Sequence, residues 1–200
     1  MKIILVRHAQ SIANEKGIRQ GQKVDTSLSV LGKEQAIKIA ERLKDEKIDI
    51  IYASDLKRAK ETAEEINKYH KKKIIFDKRL REKNHDGETW KDMEARVKEF
   101  LKELDDKNIL IVAHGGPIMV LLAFTHKNKE EGARFIRYVR QSNTCVNIVE
   151  KQGKHYKIRL LNCVKHLESD KKLINIFEKV QKIPYRVCNF DEKDINEDIQ

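Results

Sequence analysis

The stretch that decides the predicted fold is Ile3-Ile4-Leu5-Val6-Arg7-His8, near the start of the chain. Four apolar residues in a row indicate a strand buried on both faces, and the run ends in a guanidinium and an imidazole. A second apolar run, at residues 109–113 (ILIVA), ends in the same way at His114. If these two strands are parallel neighbours, both histidines lie at the carboxyl edge of one sheet, where open α/β sheets bind ligands.

The remaining sequence alternates between strand and helix patterns. Strands are predicted at residues 2–6, 48–53, 73–76, 108–113, 144–149 and 156–161, and helical spacing of apolar residues predicts helices around 31–43, 59–66 and 93–104. Ser54 and Asp55 are placed to cap the second of these helices. The alternation predicts an α/β fold, a three-layer αβα sandwich with a mostly parallel sheet. A turn at residues 151–154 indicates a final hairpin and so an antiparallel edge.

Composition favours one soluble, cytoplasmic domain. The chain of 200 residues has room for one sizeable core, and it shows neither a membrane-spanning apolar run nor a signal-peptide pattern. The net charge of +10 comes from lysines and arginines that are mostly interleaved with acids. That pattern is typical of solvated helix faces, so we expect neither nucleic-acid nor membrane binding. The three cysteines, Cys145, Cys163 and Cys188, lack the spacing of a zinc site or a disulfide framework.

Four blocks in the same order resemble the histidine phosphatase superfamily, which includes phosphoglycerate mutases, fructose-2,6-bisphosphatases and small broad-specificity phosphatases. The blocks are residues 7–11 (RHAQS) with Asn14, residues 28–36 (LSVLGKEQA), residues 54–63 (SDLKRAKETA) and residues 113–116 (AHGG). One block alone is a weak signal, whereas four in order are specific. The resemblance covers residues 1–167 and implies a phosphoglycerate mutase-like fold. Residues 168–200 are predicted to be a tail, an amphipathic helix followed by an acidic end.

The chemistry of a phosphate ester gives these residues roles. Arg7 and Arg58 can hold a phosphate through forked hydrogen bonds. His8, the nucleophile that the resemblance implies, can attack phosphorus if its other ring nitrogen donates to a backbone carbonyl. His114, if protonated, can donate to the charge that grows on the phosphate oxygens. The resemblance also implies contacts to the phosphate or the substrate from Ser11, Asn14, Gln20, Gly21 and Gly115.

Two glutamates compete for the role of general acid. Residues 80–82 (LRE) resemble the family block whose glutamate donates the proton, and residues 87–92 resemble a later block that begins a helix. Most relatives carry a longer segment between these blocks, but here only residues 83–86 intervene. Glu82 is therefore the predicted acid, with Glu88 as its rival, and the substrate cleft loses part of its wall.

The predicted function is a phosphatase, without metal or other cofactor, that hydrolyses small phosphomonoesters through a phosphohistidine on His8. One alternative is a phosphoglycerate mutase, which the shortened segment disfavours because a mutase needs an enclosed site. The other is a catalytically weak, phosphate-binding regulatory protein. The sequence names neither the substrate nor the oligomeric state. The tail could pack on its own domain, join the partner in a homodimer or stay partly disordered.

Overall fold

A six-stranded mixed sheet forms the centre of the structure, a computed structural model that describes residues 1–125, 132, 140–153 and 155–168. The strands are β1 (Lys2–Arg7), β2 (Ile50–Ala53), β3 (Ile74–Phe76), β4 (Ile109–Ala113), β5 (Val146–Gln152) and β6 (His155–Cys163). They lie in the order β3-β2-β4-β1-β5-β6. The first four strands of that order are parallel, whereas β5 and β6 are antiparallel. The predicted α/β class and the antiparallel edge are confirmed.

Helices cover both faces of the sheet. They are α1 (Ile12–Glu15), α2 (Val30–Leu43), α3 (Lys57–His70), α4 (Trp90–Lys102) and α5 (Gly115–Ala123). Successive side chains of a strand point to opposite faces, and β1 follows this rule: Ile4 and Val6 pack in the core with α2 and α3, while Leu5 packs with α4 and α5. The predicted three-layer arrangement is confirmed. Helix α5 had no predicted counterpart because it is apolar on nearly every side and so lacks a helical period.

The predicted cap of α3 is wrong. The N-cap residue is Leu56, which makes no side-chain hydrogen bond to the helix. The Ser54 hydroxyl instead accepts from the Leu56 N–H at 3.3 Å and contacts the His114 ring. Asp55 forms an ion pair with Arg81, with 2.6 Å between Oδ2 and the guanidinium. Both side chains are therefore turned toward the loops around the sheet edge and away from the helix that follows them.

Most of the predicted tail, residues 168–200, lies outside the described residues. The described chain ends at Glu168, after a 3-10 turn at Lys165–Leu167. No helix in the described ranges is both long and apolar enough to cross a membrane. The side chains of Cys145 and Cys163 are buried. The domain boundary, the cytoplasmic location and the homodimer stay predictions.

The register of β1 and β4 sets up the edge where the two histidines lie. The strands are parallel, with Arg7 opposite Ala113, and the His8 N–H extends the pairing by donating to the Ala113 carbonyl at 2.9 Å. The two strands therefore end at the same level of the sheet, so His8 and His114 lie next to each other at its carboxyl edge.

The loop after β1 packs directly on the first turn of α2. A Cβ at Gly32 would lie only 1.9 Å from the carbonyl oxygen of Gln10. Ser29, the N-cap of α2, binds the Gln10 side chain at 2.7 Å and accepts from the Gly32 N–H at 3.0 Å. Gly32 thus allows the backbone two residues beyond His8 to touch the helix.

We expect Gly32→Ala to lower the free energy of unfolding by about 2 to 3 kcal/mol, because the backbone at Gln10 must move to make room. In a helix without such a close contact, replacing glycine by alanine would instead raise the free energy of unfolding by up to about 1 kcal/mol. Urea denaturation measures the difference. Val30→Ala, at an exposed position in the same turn, is the control and should change stability by less than about 0.5 kcal/mol. A Gly32→Ala protein as stable as the wild type would contradict the close packing.

Candidate active site

Two buried imidazoles lie side by side at the carboxyl edge of the sheet. The ring centroids of His8 and His114 are 5.0 Å apart, with the ring planes inclined at 57°. A cleft of about 750 Å³ opens here. The residues that line it come from the end of β1, from the helices that begin near this edge and from the loops between them: Arg7, His8, Asn14, Gly17, Ile18, Arg19, Gln20, Gly21, Arg58, Glu82, Lys83, His85, Thr89, Trp90, Gly115, Gly116, Met119, Arg140 and Gln141.

His8 has the geometry of a nucleophile. Its Nδ1 lies 2.7 Å from the Ala9 carbonyl oxygen, and since a carbonyl can only accept, Nδ1 carries the proton and Nε2 keeps a lone pair. This is the hydrogen bond that the sequence analysis required. Burial, followed by the charges of Arg58 and Arg7, lowers the pKa of His8 well below its usual 6.5. The ring is therefore neutral at neutral pH.

Two arginines place positive charge beside His8: Arg58 is buried and Arg7 is half-buried. Arg7 donates to the Gln141 carbonyl at 2.5 Å, and Arg58 donates to the Gly21 carbonyl at 2.9 Å and lies 3.6 Å from an Asp25 oxygen. Burial lowers the pKa of both groups, that of Arg58 to about 10, so both remain charged at neutral pH. Within the described part of the chain, neither buried Nε has a hydrogen-bond partner. Unsatisfied buried donors are costly, and a bound anion would satisfy them.

The His114 ring is held from behind by Ser54. The two side chains are fully buried, with 2.8 Å between Nε2 and the Ser54 hydroxyl oxygen. Burial, followed by the charges of Arg58, His8 and Arg7, lowers the pKa of His114 well below 6.5, so this ring is also neutral in the ligand-free protein. If the Ser54 hydroxyl donates to Nε2, the proton of the ring is on Nδ1. That nitrogen has no partner among the described residues. His114 is fully buried and is not among the residues that line the cleft, so its donation to an anion stays a prediction.

We expect Ser54→Ala to release the tautomer of His114. In the wild type, the two-bond proton-nitrogen NMR couplings of the ring should identify the Nδ1–H form, whereas the variant should show a mixture of both tautomers and bind inorganic phosphate more weakly. Ser29→Ala is the control, because it removes a helix cap, worth about 1 kcal/mol of stability, without contacting the ring. The same single tautomer in Ser54→Ala as in the wild type would contradict the assignment.

The structure separates the two candidate acids. Glu82 lines the cleft, and its Oε1 accepts from the backbone N–H groups of Lys83, at 2.9 Å, and Gly116, at 3.2 Å. A Cβ at Gly116 would lie 2.4 Å from that carboxylate, so any larger residue there would displace the Glu82 side chain. Glu88 is not among the residues that line the cleft, and it forms an ion pair with Arg96 at 2.5 Å.

The charge state of Glu88 also makes it a poor proton donor. Partial burial alone would raise the pKa of its carboxyl group, but hydrogen bonds from Arg96 and the Asn84 N–H, with the charges of Arg96 and Lys83, lower it overall. Glu88 is therefore ionised at neutral pH and serves to hold the segment after Glu82 against α4.

Of the five residues expected to contact phosphate or substrate by resemblance, Asn14, Gln20, Gly21 and Gly115 line the cleft. The Oδ1 of Asn14 accepts from the Ser11 backbone N–H at 3.1 Å, and the Oε1 of Gln20 accepts from the Ser11 hydroxyl at 3.0 Å. Both amides therefore keep their NH₂ groups for a ligand.

Ser11 is the exception among these five. It is fully buried as the N-cap of α1 and is absent from the residues that line the cleft. Its hydroxyl is already used by Asn14 and Gln20, so it orients these two amides and makes no contact with the cleft itself.

Sequence reasoning missed much of the cleft mouth. The missed residues that line it are Gly17, Ile18, Arg19, Lys83, His85, Thr89, Trp90, Gly116, Met119, Arg140 and Gln141. Most of them lie in loops, which carry no apolar period, and their side chains resemble ordinary surface residues. The exception with a usable signal is Trp90, the single tryptophan of the chain, which is half exposed at the start of α4. In the described ranges, no three His, Cys, Asp or Glu side chains are grouped so that they could hold a metal ion.

Comparison with known proteins agrees with this geometry. The family model of the histidine phosphatase superfamily (branch 1) matches residues 3–86 and 82–164. This chain belongs to the histidine phosphatase superfamily.

Relatives and solved structures carry phosphatase names. The uncharacterized phosphatase PhoE of Bacillus subtilis is 31% identical over 190 residues, which are 82% of this chain and 96% of that protein. Phosphoserine phosphatase 1 of Hydrogenobacter thermophilus is 44% identical over 85 residues, covering 42% of this chain and 40% of the relative. A structure of mycobacterial glucosyl-3-phosphoglycerate phosphatase with VO3 has a TM-score of 0.73 at 25% identity and covers 82% of this chain and 99% of its own.

Proposed function

We propose that this protein hydrolyses phosphate monoesters through a covalent phosphohistidine on His8. The observation that carries the proposal is the environment of His8: a neutral ring with a free Nε2, set beside two arginines whose buried Nε donors have no partner among the described residues. A phosphate group would accept from both arginines and present its phosphorus to the ring. The relatives named as phosphatases support this chemistry, but their names differ in substrate, so they select none for this chain.

In the first step, the Nε2 lone pair of His8 attacks phosphorus while the bond to the ester oxygen breaks. The hydrogen bond from Nδ1 to the Ala9 carbonyl stabilises the positive charge that develops on the ring. Arg7, Arg58 and His114 balance the charge on the three other phosphate oxygens. Glu82 donates its proton to the leaving oxygen, and the alcohol departs.

In the second step, water releases the phosphate. The carboxylate of Glu82 takes one proton from the water, whose oxygen attacks phosphorus while the bond to Nε2 breaks. Inorganic phosphate leaves, His8 returns to its neutral form and Glu82 is protonated again. The residues of this chain supply every group that the cycle uses, so the proposal needs no metal or other cofactor.

The two alternatives make different products. A mutase would return the phosphoryl group to a second hydroxyl and convert 3-phosphoglycerate to 2-phosphoglycerate, whereas a phosphatase releases inorganic phosphate. The short connection at residues 83–86, whose Asn84 N–H binds back to Glu88 at 2.6 Å, supports the phosphatase because it adds no enclosing segment. A catalytically weak regulatory protein would lack a general acid in the cleft, and the position of Glu82 in the cleft argues against that alternative.

His8→Ala should abolish turnover of p-nitrophenyl phosphate and leave the circular dichroism spectrum unchanged, because the side chain is assigned to chemistry. Wild-type protein quenched in alkaline detergent during turnover of ³²P-labelled substrate should carry label that is stable in base and lost in acid, as expected of a phosphohistidine. His155→Ala, at an exposed position in β6, is the control and should keep full activity. Turnover by the His8→Ala protein would overturn the mechanism.

Glu82→Gln should slow hydrolysis of an alkyl phosphate by about 10² to 10⁴, the usual value of general-acid help, and slow p-nitrophenyl phosphate much less because that leaving group needs little protonation. Glu88→Gln is the matched control: it weakens the ion pair with Arg96 and should lower thermal stability without changing the ratio of the two rates. A larger change of this ratio in Glu88→Gln than in Glu82→Gln would assign the acid to Glu88.

A further inference from the structure

Gln141 is a buried polar residue that the mechanism above does not use. Its residue is 6% exposed, and it lines the cleft together with Arg7 and His8. Glutamine is mostly an exposed residue, and the polar atoms of a buried amide are normally hydrogen-bonded. The Nε2 of Gln141 has no hydrogen-bond partner among the described residues. Its NH₂ group is therefore a buried donor that still needs an acceptor.

The orientation of this amide is fixed by hydrogen bonds that end on the backbone. The Oδ1 of Asn147 accepts from the Asn162 N–H at 2.8 Å, so the other atom of the Asn147 amide is the donor Nδ2. That nitrogen lies 2.8 Å from the Gln141 amide. Because an NH₂ group can only donate, the atom of Gln141 that faces it is Oε1. The opposite end of the Gln141 amide is Nε2.

The oxygen end of the amide is turned away from the cleft. Oε1 accepts from Asn147 and from the Cys145 thiol, at 2.8 and 3.1 Å. Neither of these two residues is among the described residues that line the cleft, whereas Gln141 is. The NH₂ group is therefore the end of the side chain that is left for a ligand in the cleft.

Gln141 is also in direct contact with Arg7. Its backbone carbonyl accepts from the Arg7 guanidinium at 2.5 Å. Within the described part of the chain, five buried side-chain nitrogens lack a partner, and three of them belong to residues that line this cleft: Arg7, Arg58 and Gln141. A phosphoryl group offers several oxygens at once, so one ligand can satisfy all three donors.

An uncharged donor suits this place better than another cation would. The charges of Arg58 and Arg7 already lower the pKa of His8. A third cation would further oppose the positive charge that develops on this ring during attack on phosphorus. An amide adds a hydrogen bond to the phosphate without that cost.

We propose that the side-chain amide of Gln141 is a further phosphate-binding group, which donates through Nε2 to an oxygen of the phosphoryl group held at His8. The inference rests on the proposed function for the identity of the bound group. Its test uses inorganic phosphate and needs no turnover.

The wild-type protein provides the first test. In protein with ¹⁵N-labelled glutamine, the side-chain NH₂ signals of Gln141 should shift downfield on saturation with inorganic phosphate, because the group gains a charged acceptor. The signals of Gln152, which is exposed at the end of β5, are the internal control and should stay in place. Unchanged Gln141 signals at saturation would overturn the proposal.

Two substitutions at Gln141 separate a direct hydrogen bond from an effect of charge or folding. Gln141→Met removes the donor without adding charge, and Gln141→Glu keeps an oxygen for Asn147 but replaces the NH₂ group by an acceptor. At about pH 8, both should weaken phosphate binding by about tenfold or more, since a hydrogen bond to a charged group is lost. As the pH is lowered, the Gln141→Glu protein should approach the wild type, because a protonated carboxyl group can donate again. Calorimetric titration measures both affinities.

The two variants also define the results that would contradict the proposal. A loss of affinity in Gln141→Glu alone would show that only negative charge matters at this place. A loss in Gln141→Met alone would show that the amide acts on the fold through its oxygen. Gln152→Glu, which carries the same change of charge at an exposed position outside the cleft, is the matched control and should change affinity by less than about twofold.

Failure of the proposed function would be distinguishable from failure of this inference. If phosphate shifted the Gln141 signals but no ester were hydrolysed, the phosphatase function would be wrong and the binding group would stand. If the wild type hydrolysed esters and Gln141→Met kept its phosphate affinity and kcat/KM, the function would stand and the role of Gln141 would be rejected.

Discussion

The parallel pairing of β1 with β4 is the constraint on which the rest of the site depends. Its register brings Arg7 beside Ala113, and the rings of His8 and His114 then meet 5.0 Å apart. Both strands are buried on two faces, so each alternate side chain is committed to one helix layer. A slip of one residue would exchange the two faces of a strand. The core therefore specifies the separation of the two imidazoles.

Burial at this edge is the main cause of the neutral state of its two histidines. The two guanidinium groups remain charged at neutral pH, while burial and their own charges keep His8 and His114 neutral. A positive charge that is shielded from water, on a group whose hydrogen-bond donors lack acceptors, is unfavourable in the ligand-free protein. The same arrangement favours a dianion that can accept several hydrogen bonds at once. Burial thus keeps the two imidazoles neutral, whereas the arginines stay charged because the pKa of a guanidinium starts far above neutral pH.

The sequence predicted the parts of the site that strands position. His8, His114 and Arg7 follow apolar runs, so their meeting at one sheet edge followed from the strand pattern, and Arg58 and Glu82 came from resemblance to family blocks. The role of Ser54 could not be predicted in this way, because its hydroxyl had a local alternative, the cap of α3, and only the tertiary structure shows that it contacts His114. The choice between Glu82 and Glu88 likewise depended on a distant partner, Arg96.

The cleft mouth was beyond sequence reasoning for another reason. Arg19 and Lys83 lie in loops, which show no periodic pattern of apolar residues. They are two of the 42 lysines and arginines of the chain, so their charge alone does not single them out. Their meeting depends on contacts between loops, such as the approach of Gly21 to Lys83. Helix α5 was missed because uniform burial removes the pattern that identifies a helix.

The thiol of Cys145 lies near Arg7, one of the two proposed phosphate-binding arginines. Its surroundings determine how the site responds to oxidants. Its sulfur donates to the Gln141 side chain at 3.1 Å, and the carbonyl of that residue holds Arg7. Burial raises the pKa of the thiol to about 12, and the protonated form is the unreactive one toward peroxides. Because the proposed nucleophile is a ring nitrogen, the chemistry does not depend on a reduced sulfur. Phosphoryl transfer at His8 would continue in an oxidising medium that inactivates enzymes with a thiolate nucleophile.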